Sequence, residues 1–355
     1  MPETMQAIRL HPATGGSEPY TASNPAPPSA LHLDTIEIPK PTAPGEVLVK
    51  IKASTIVRDA LTWPETYAYE YLTMGNDLSG IVAEVYPSSD ANSNSDSNSK
   101  FKIGDEVFGM TAADRPRTWA QYAVVRESEL APRPRGLTWE EAAALPLSGQ
   151  TAFEALFVRG GVPIPSDVAE MRENKGRESP KPDTNKVLIT GAAGGVGVYL
   201  VQLARCAGLH VTTATGSNAR NEEFLRSLGA HECIEYPTIK EKRDAYDLII
   251  DCVGGEPLVD AWKAVNGDGK LITVDSSSWN FLENHAKQGV RREGVEAFFF
   301  IVEGGSESLE ALARFADLRL LEVFVLKVYP LARAREAYEY GNGRFTGRGK
   351  VVLSV

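Results

Sequence analysis

The sequence predicts an α/β chain in two parts: a β-rich portion, and a Rossmann-type doubly wound parallel sheet with helices on both faces. Three observations carry this reading. Apolar and polar residues alternate in the first third, strands alternate with helices from Lys186 to Asp251, and a glycine-rich turn joins an apolar strand to a helix at Gly191 to Gly197. The length, 355 residues, suits about two domains.

In chain order, Glu46 to Lys52 alternates and reads as a half-buried strand, and Leu78 to Val85 as another, with turn signals at Pro44-Gly45 and Gly104-Asp105. Residues 88 to 99, SSDANSNSDSNS, lack a large apolar side chain and cannot offset their ordering entropy, so a mobile loop is expected. From Leu137 helix formers surround Pro146, which splits one helix into two. Residues 160 to 185 are rich in Pro, Gly and charge and read as an exposed connection, with one helical patch near Ser166 to Arg172. Then come a strand at Lys186 to Thr190, a helix from about Gly195 to Gly208, a strand at His210 to Ala214, a helix near Asn221 to Leu228, and a strand at Tyr246 to Asp251. The aromatic run Phe298 to Phe300 reads either as a buried or edge strand or as the lining of a pocket.

Composition narrows the function. The formal net charge of −10 argues against a broad cationic surface for nucleic acid. No apolar run is long enough to span a bilayer, and the first residues lack an apolar signal core, so an intracellular, cytoplasmic protein is expected. The three cysteines, Cys206, Cys233 and Cys252, are too few for a disulfide framework or a four-cysteine zinc site.

The turn itself, VLITGAAGGVG, is the strongest chemical signal. Gly191, Gly194 and Gly197 recur every third residue with Gly195 and Val196 between them. Glycine here allows a tight turn, close approach of a pyrophosphate, and close packing of helix on strand. At the end of the next strand no acidic residue precedes Glu222, whereas Ser217, Asn218 and Arg220 suit a 2′-phosphate. NADP(H) is therefore expected as the cofactor rather than NAD(H).

The chain resembles the zinc-independent branch of the medium-chain dehydrogenase/reductase superfamily, the quinone oxidoreductases and enoyl reductases. The blocks that carry the resemblance run in order along nearly the whole sequence: PGEVLVKIKAS, GNDLSGIVAEV, FKIGDEVFGM, WAQYAVV, EEAAALPLSGQTAFEAL, the glycine turn, YDLIIDCVGG and GRGKVVLSV. It implies a GroES-like catalytic domain made from both chain ends, 1–155 and 320–355, with an NADP(H)-binding domain at 156–319. It further implies cofactor contacts from Thr151, Tyr236, Cys252, Val253, Gly254, Phe299 and Lys350. Cys252 reads as a packing thiol, with no partner cysteine to activate it. Zinc-dependent members carry a cysteine and a histidine where this sequence has Ile56 and Asn76, so no catalytic metal is expected.

Without zinc, the implied chemistry is hydride transfer from the nicotinamide to an enone, enoyl thioester or quinone, which needs a hydrogen-bond donor at the developing oxyanion and a proton source. Donor candidates lie in STIVRDALTWPETYAYEYLTMGND: Tyr67 first, then Arg58, Asp59 and Tyr71, with Trp63 among them. Each also has a bland reading. Asp59 could orient a neighbour, Arg58 could make a surface ion pair, and Tyr67 and Tyr71, four apart, would share one face of a helix. A stand-alone enoyl reductase for a carrier-bound acyl chain and a non-catalytic NADPH-binding protein remain alternatives. The partner is then a small-molecule or acyl-thioester substrate, and the chain a monomer or homodimer.

Overall fold

The computed structural model describes residues 3–16, 18–86, 99–177, 184–343 and 347–355. The segment read as a mobile loop falls outside them except for Ser99, whose hydroxyl donates to the Phe101 carbonyl. By contacts the chain forms two units, one of residues 1–147, 303–317 and 323–355, the other of 148–302 and 318–322.

The first unit is β-rich. Strands β1 (Thr4–Leu10) and β2 (Leu31–Glu37) pair antiparallel. Strands β3 (Glu46–Thr55), β4 (Asp77–Val85), β5 (Glu106–Met110), β6 (Tyr122–Arg126) and β7 (Leu130–Pro132) build an antiparallel sheet in which β3 lies between β4 and β6. The alternation in β3 buries Val47, Val49 and Ile51 against Leu78, Val107 and Val125. Burying each such side chain contributes about 1.5–3 kcal/mol. Helix α1 (Trp139–Ala144) opens on a reciprocal cap: the Thr138 hydroxyl accepts from the Glu141 amide, and the Glu141 carboxylate accepts from the Thr138 amide. Pro146 cannot extend it and starts α2 (Pro146–Phe153), so the expected split occurs where expected.

The second unit begins within α2. The stretch read as an exposed connection contains a true helix, α3 (Val168–Gly176), capped by the Asp167 carboxylate and burying Met171 and Asn174. It overlaps the helical patch expected near Ser166 to Arg172 and runs four residues beyond it. Strand β8 (Lys186–Thr190), helix α4 (Gly197–Cys206), β9 (His210–Thr215), α5 (Asn218–Leu228), β10 (Glu232–Glu235), α6 (Tyr236–Ile239), β11 (Tyr246–Asp251), α7 (Gly255–Ala264), β12 (Val265–Thr273), α8 (Phe281–Lys287) and β13 (Glu296–Phe299) follow. The strands form a parallel sheet in the order β10-β9-β8-β11-β12-β13. Helix α5 starts three residues before its expected position, which puts Asn218 inside it. The Phe298–Phe300 run supplies an edge strand, with Phe299 packed on the core that Trp262, Leu271 and Phe281 fill.

The chain then returns to the first unit through α9 (Ser306–Asp317), β14 (Val325–Pro330), α10 (Ala334–Asn342) and β15 (Lys350–Ser354), and β15 pairs antiparallel with β3. No described helix is long and apolar enough to cross a membrane.

Candidate functional site

In the second unit the glycine turn lies at the carboxyl end of β8, and its glycines divide by task. Gly191 has φ +61°, and a Cβ there would lie 2.8 Å from Val253 Cγ1 and 3.2 Å from Cys252 Cβ. A Cβ on Gly197 would lie 2.4 Å from the Gly191 carbonyl oxygen and 2.5 Å from Ala192 Cα. These two glycines are demanded by the protein's own packing. Gly194 and Gly195 are exposed, and a Cβ on Gly194 meets only the Gly191 carbonyl, at 3.0 Å. The backbone is thus tight on the inside and open outside at the start of α4, a cradle that fits a dinucleotide pyrophosphate.

Tyr236 braces this turn, its hydroxyl accepting from the Gly191 amide, and burial pushes the phenol above its usual range. Beneath it, fully buried Asp251 accepts from Thr190 Oγ1 at 2.6 Å, Thr273 Oγ1 at 2.8 Å and the Gly254 amide at 2.9 Å, so one carboxylate joins the ends of β8, β11 and β12. Burial raises its pKa against the pull of those donors. Sequence reasoning overlooked Asp251, although an acid closing a buried apolar strand is itself a signal. Cys252 is raised well above the usual thiol range by burial and by Asp251 and Asp275, which keeps it protonated and inert.

At the end of β9, Ser217 stands at the first position before α5 without a side-chain capping hydrogen bond, and Arg220 is exposed one turn on. Asn218 is tied down on both sides: its side-chain amide donates to the Cys233 carbonyl and its backbone amide to Glu235 Oε1, each at 2.9 Å. The linear reading found no acid here because Glu235 arrives from the neighbouring strand. Thr151 is buried on α2.

In the first unit, Thr55, Trp63, Asn76, Pro116 and Trp119 line a narrow pocket of about 10 Å³, room for roughly one water. Both Asn76 amide hydrogens are directed at backbone carbonyls, Ala112 at 3.0 Å and Thr111 at 3.3 Å. Ile56 is buried in an apolar cluster and packs against Gly341. Among the described residues no group of three or more His, Cys, Asp or Glu side chains lies together as metal ligands. A zinc ion does not fit these residues.

Of the named donor candidates, Tyr67, Arg58, Asp59 and Tyr71 are not in the lining of this pocket. Tyr67 is fastened between two backbone groups, its hydroxyl accepting from the Ala26 amide at 2.9 Å and donating to the Leu61 carbonyl. Arg58 donates to the Gly343 carbonyl. Asp59 adopts φ +60°, and its amide donates to Asn342 Oδ1 at 2.7 Å. Tyr71 does not share a face with Tyr67: the chain makes a short 3₁₀ turn at Pro64–Tyr67 rather than an α-helix, and Tyr71, at φ +54°, stacks edge-on against His11 beneath Arg9. Trp63 is the member of the set that lines the pocket. Lys350 belongs to this unit, its ammonium 3.2 Å from the buried Asp77 carboxylate.

Residues 43–135 match the alcohol dehydrogenase GroES-like domain and residues 228–353 the zinc-binding dehydrogenase family. A probable zinc-binding oxidoreductase, mitochondrial, of Arthroderma benhamiae is 32% identical over 99% of this chain and 100% of its own. The chain belongs to the medium-chain dehydrogenase/reductase family. Its place is in the quinone oxidoreductase branch of that family: the quinone oxidoreductase from Coxiella burnetii superposes with TM-score 0.75 at 26% identity over 99% of this chain and 100% of that one. The chloroplast envelope quinone oxidoreductase homolog of Arabidopsis thaliana is 26% identical over 90% of this chain and 93% of its own. The mitochondrial NAD(P)H oxidoreductase RTN4IP1 of Danio rerio is 26% identical over 88% of this chain and 84% of its own. The medium-chain dehydrogenase/reductase fold is thus present over the whole chain, while the two positions that would ligate catalytic zinc hold Ile56 and Asn76.

Proposed function

We propose that the chain is an NADPH-dependent reductase that delivers hydride to an activated C=C bond, in an enone or enoyl thioester, or to a quinone, without zinc. The observations that carry this are the outward-open glycine cradle at Gly194-Gly195 in the second unit and, in the first, Ile56 and Asn76 at the two positions where zinc ligands would stand. Names of the relatives support it, since quinone oxidoreductase and NAD(P)H oxidoreductase recur among them.

When bound, NADPH would supply the hydride for the addition. The protein's part is to bind it and to complete the addition, one proton being taken up for each hydride delivered. Gly194 and Gly195 admit the pyrophosphate, with Tyr236 and Val253 bracing the turn. Ser217 and Arg220 favour the 2′-phosphate of NADPH, and Glu235, which holds the Asn218 amide, offsets part of that preference. Trp63 lines the pocket, and its indole N–H, which makes no hydrogen bond to a described residue, is the donor assigned here to the acceptor's oxygen.

The test is consumption of NADPH, followed by its absorbance, against enones, enoyl-CoA thioesters and quinones. Turnover of one class identifies the acceptor. Tight NADPH binding with no turnover of any class would instead support a binding protein without catalysis.

A further inference from the structure

Beside the narrow pocket the first unit holds a larger cavity of about 310 Å³, within the size range of small-ligand sites. The two share Pro116, and consecutive residues wall both: Leu72 and Thr73 face the larger cavity where Met74, Gly75 and Asn76 face the narrow one.

The chemistry of the larger cavity centres on Arg117. Its guanidinium is half-buried, with Nε donating to the Arg115 carbonyl at 3.3 Å and Nη1 to the Val124 carbonyl at 3.2 Å. Nη2 has no hydrogen bond to a described residue, and among the described residues no carboxylate lies within ion-pair distance of the group. The two acids nearest in effect are occupied: Glu129 pairs with Arg115 at 3.2 Å, and Glu46 accepts from Thr42 and Ala43. Burial and the neighbouring Arg115 press its pKa below the usual arginine range. A cation drawn out of water without a counter-charge is costly, and a ligand anion offsets that cost. Tyr69, Tyr71 and Tyr122 supply flat apolar walls, while Glu37 and Glu70 also line the cavity and bar a second negative charge there.

We propose that this cavity is a subsite for the part of the electron acceptor remote from the reacting bond, and that it selects an aromatic or flat apolar body carrying a single anionic group placed on Arg117. The inference rests on the reductase reading for the word acceptor. The anion site itself does not.

Two measurements separate them. Naphthalene-2-sulfonate and its uncharged counterpart 2-naphthol are titrated into the protein by calorimetry, with no cofactor or turnover involved. The sulfonate is expected to bind about tenfold more tightly than 2-naphthol, and Arg117→Met to erase the difference while Arg117→Lys keeps part of it. Glu70→Gln is expected to tighten sulfonate binding, which covers the case of a poorly folded Arg117→Met. In turnover, the ratio of kcat/KM for 1,4-naphthoquinone-2-sulfonate over 1,4-naphthoquinone is expected to fall about tenfold in Arg117→Met. An arginine that only staples backbone would lower the melting temperature and both rates together, leaving the ratio unchanged. Equal binding of the two naphthalenes, or sulfonate binding indifferent to Arg117 and Glu70, overturns the proposal. Arginine-dependent sulfonate binding without turnover of any quinone, enone or enoyl thioester upholds the anion site and overturns the reductase reading.

Discussion

The Lys350 ammonium and the Asp77 carboxylate lie 3.2 Å apart with both side chains buried, joining residues 273 positions apart in the sequence. Asp77 also accepts from the Leu147 amide at 2.7 Å and from the Thr55 hydroxyl. It follows Asn76 directly and fixes the start of β4 beside the narrow pocket.

Removing one member of a buried pair strands the other's charge, so Lys350→Met is expected to cost about 3 kcal/mol of folding free energy. Urea unfolding measures this, and NADPH affinity of the folded fraction should stay within about twofold of the unmutated protein. Loss of affinity with stability intact would return Lys350 to the cofactor contacts.

The glycine turn yields a paired expectation. Gly194→Val places bulk at the exposed side of the cradle, where a Cβ meets only the Gly191 carbonyl at 3.0 Å, and should abolish NADPH binding in the fraction that remains folded. Gly197→Ala drives a Cβ to 2.4 Å from a backbone oxygen and should destabilise the second unit. The reverse pattern would mean that the open side of the turn is not where the pyrophosphate lies.

Cofactor choice should respond to two residues in opposite directions. Arg220→Ala is expected to weaken NADPH by about five- to tenfold and leave NADH unchanged. Glu235→Gln keeps an acceptor for the Asn218 amide while removing its charge, and should raise the preference for NADPH. Fluorescence titration of both cofactors checks it, and equal affinities in the unmutated protein would contradict the preference.

Acid should destabilise the fold through His231. Burial, together with Arg205 and His210, pushes its pKa from 6.5 to about 4, and its Nδ1 accepts from the Val211 amide at 2.9 Å. Between these two values the unfolded chain binds a proton that the folded ring refuses. Its stability contribution is therefore complete above pH 6.5 and falls away as the pH drops to about 4. The loss is on the order of 1–2 kcal/mol after discounting for solvent screening. His231→Asn should flatten the difference between urea unfolding at pH 5 and at pH 7, and an unaltered difference would assign the acid sensitivity elsewhere.

What the sequence made legible follows from how local each signal is. Lys186–Thr190 and Tyr246–Asp251 are short apolar runs bounded by polar residues or glycine, and both strands begin and end where expected. The tyrosine pair does not align because the 3₁₀ turn ends at Tyr67 and Tyr71 takes φ +54°, outside any right-handed helix. Glu235 beside Asn218, Asp77 beside Lys350 and Arg117 in its cavity are meetings of distant segments, and no window along the chain contains them.

The most direct test is NADPH oxidation by protein stripped of metal by exhaustive chelation, with 1,4-naphthoquinone as acceptor and the zinc content measured in the same sample. The expected result is undiminished turnover at less than about one-twentieth of an equivalent of zinc, since neither Ile56 nor Asn76 offers zinc a usable ligand. Turnover that vanishes on chelation and returns with stoichiometric zinc would contradict it.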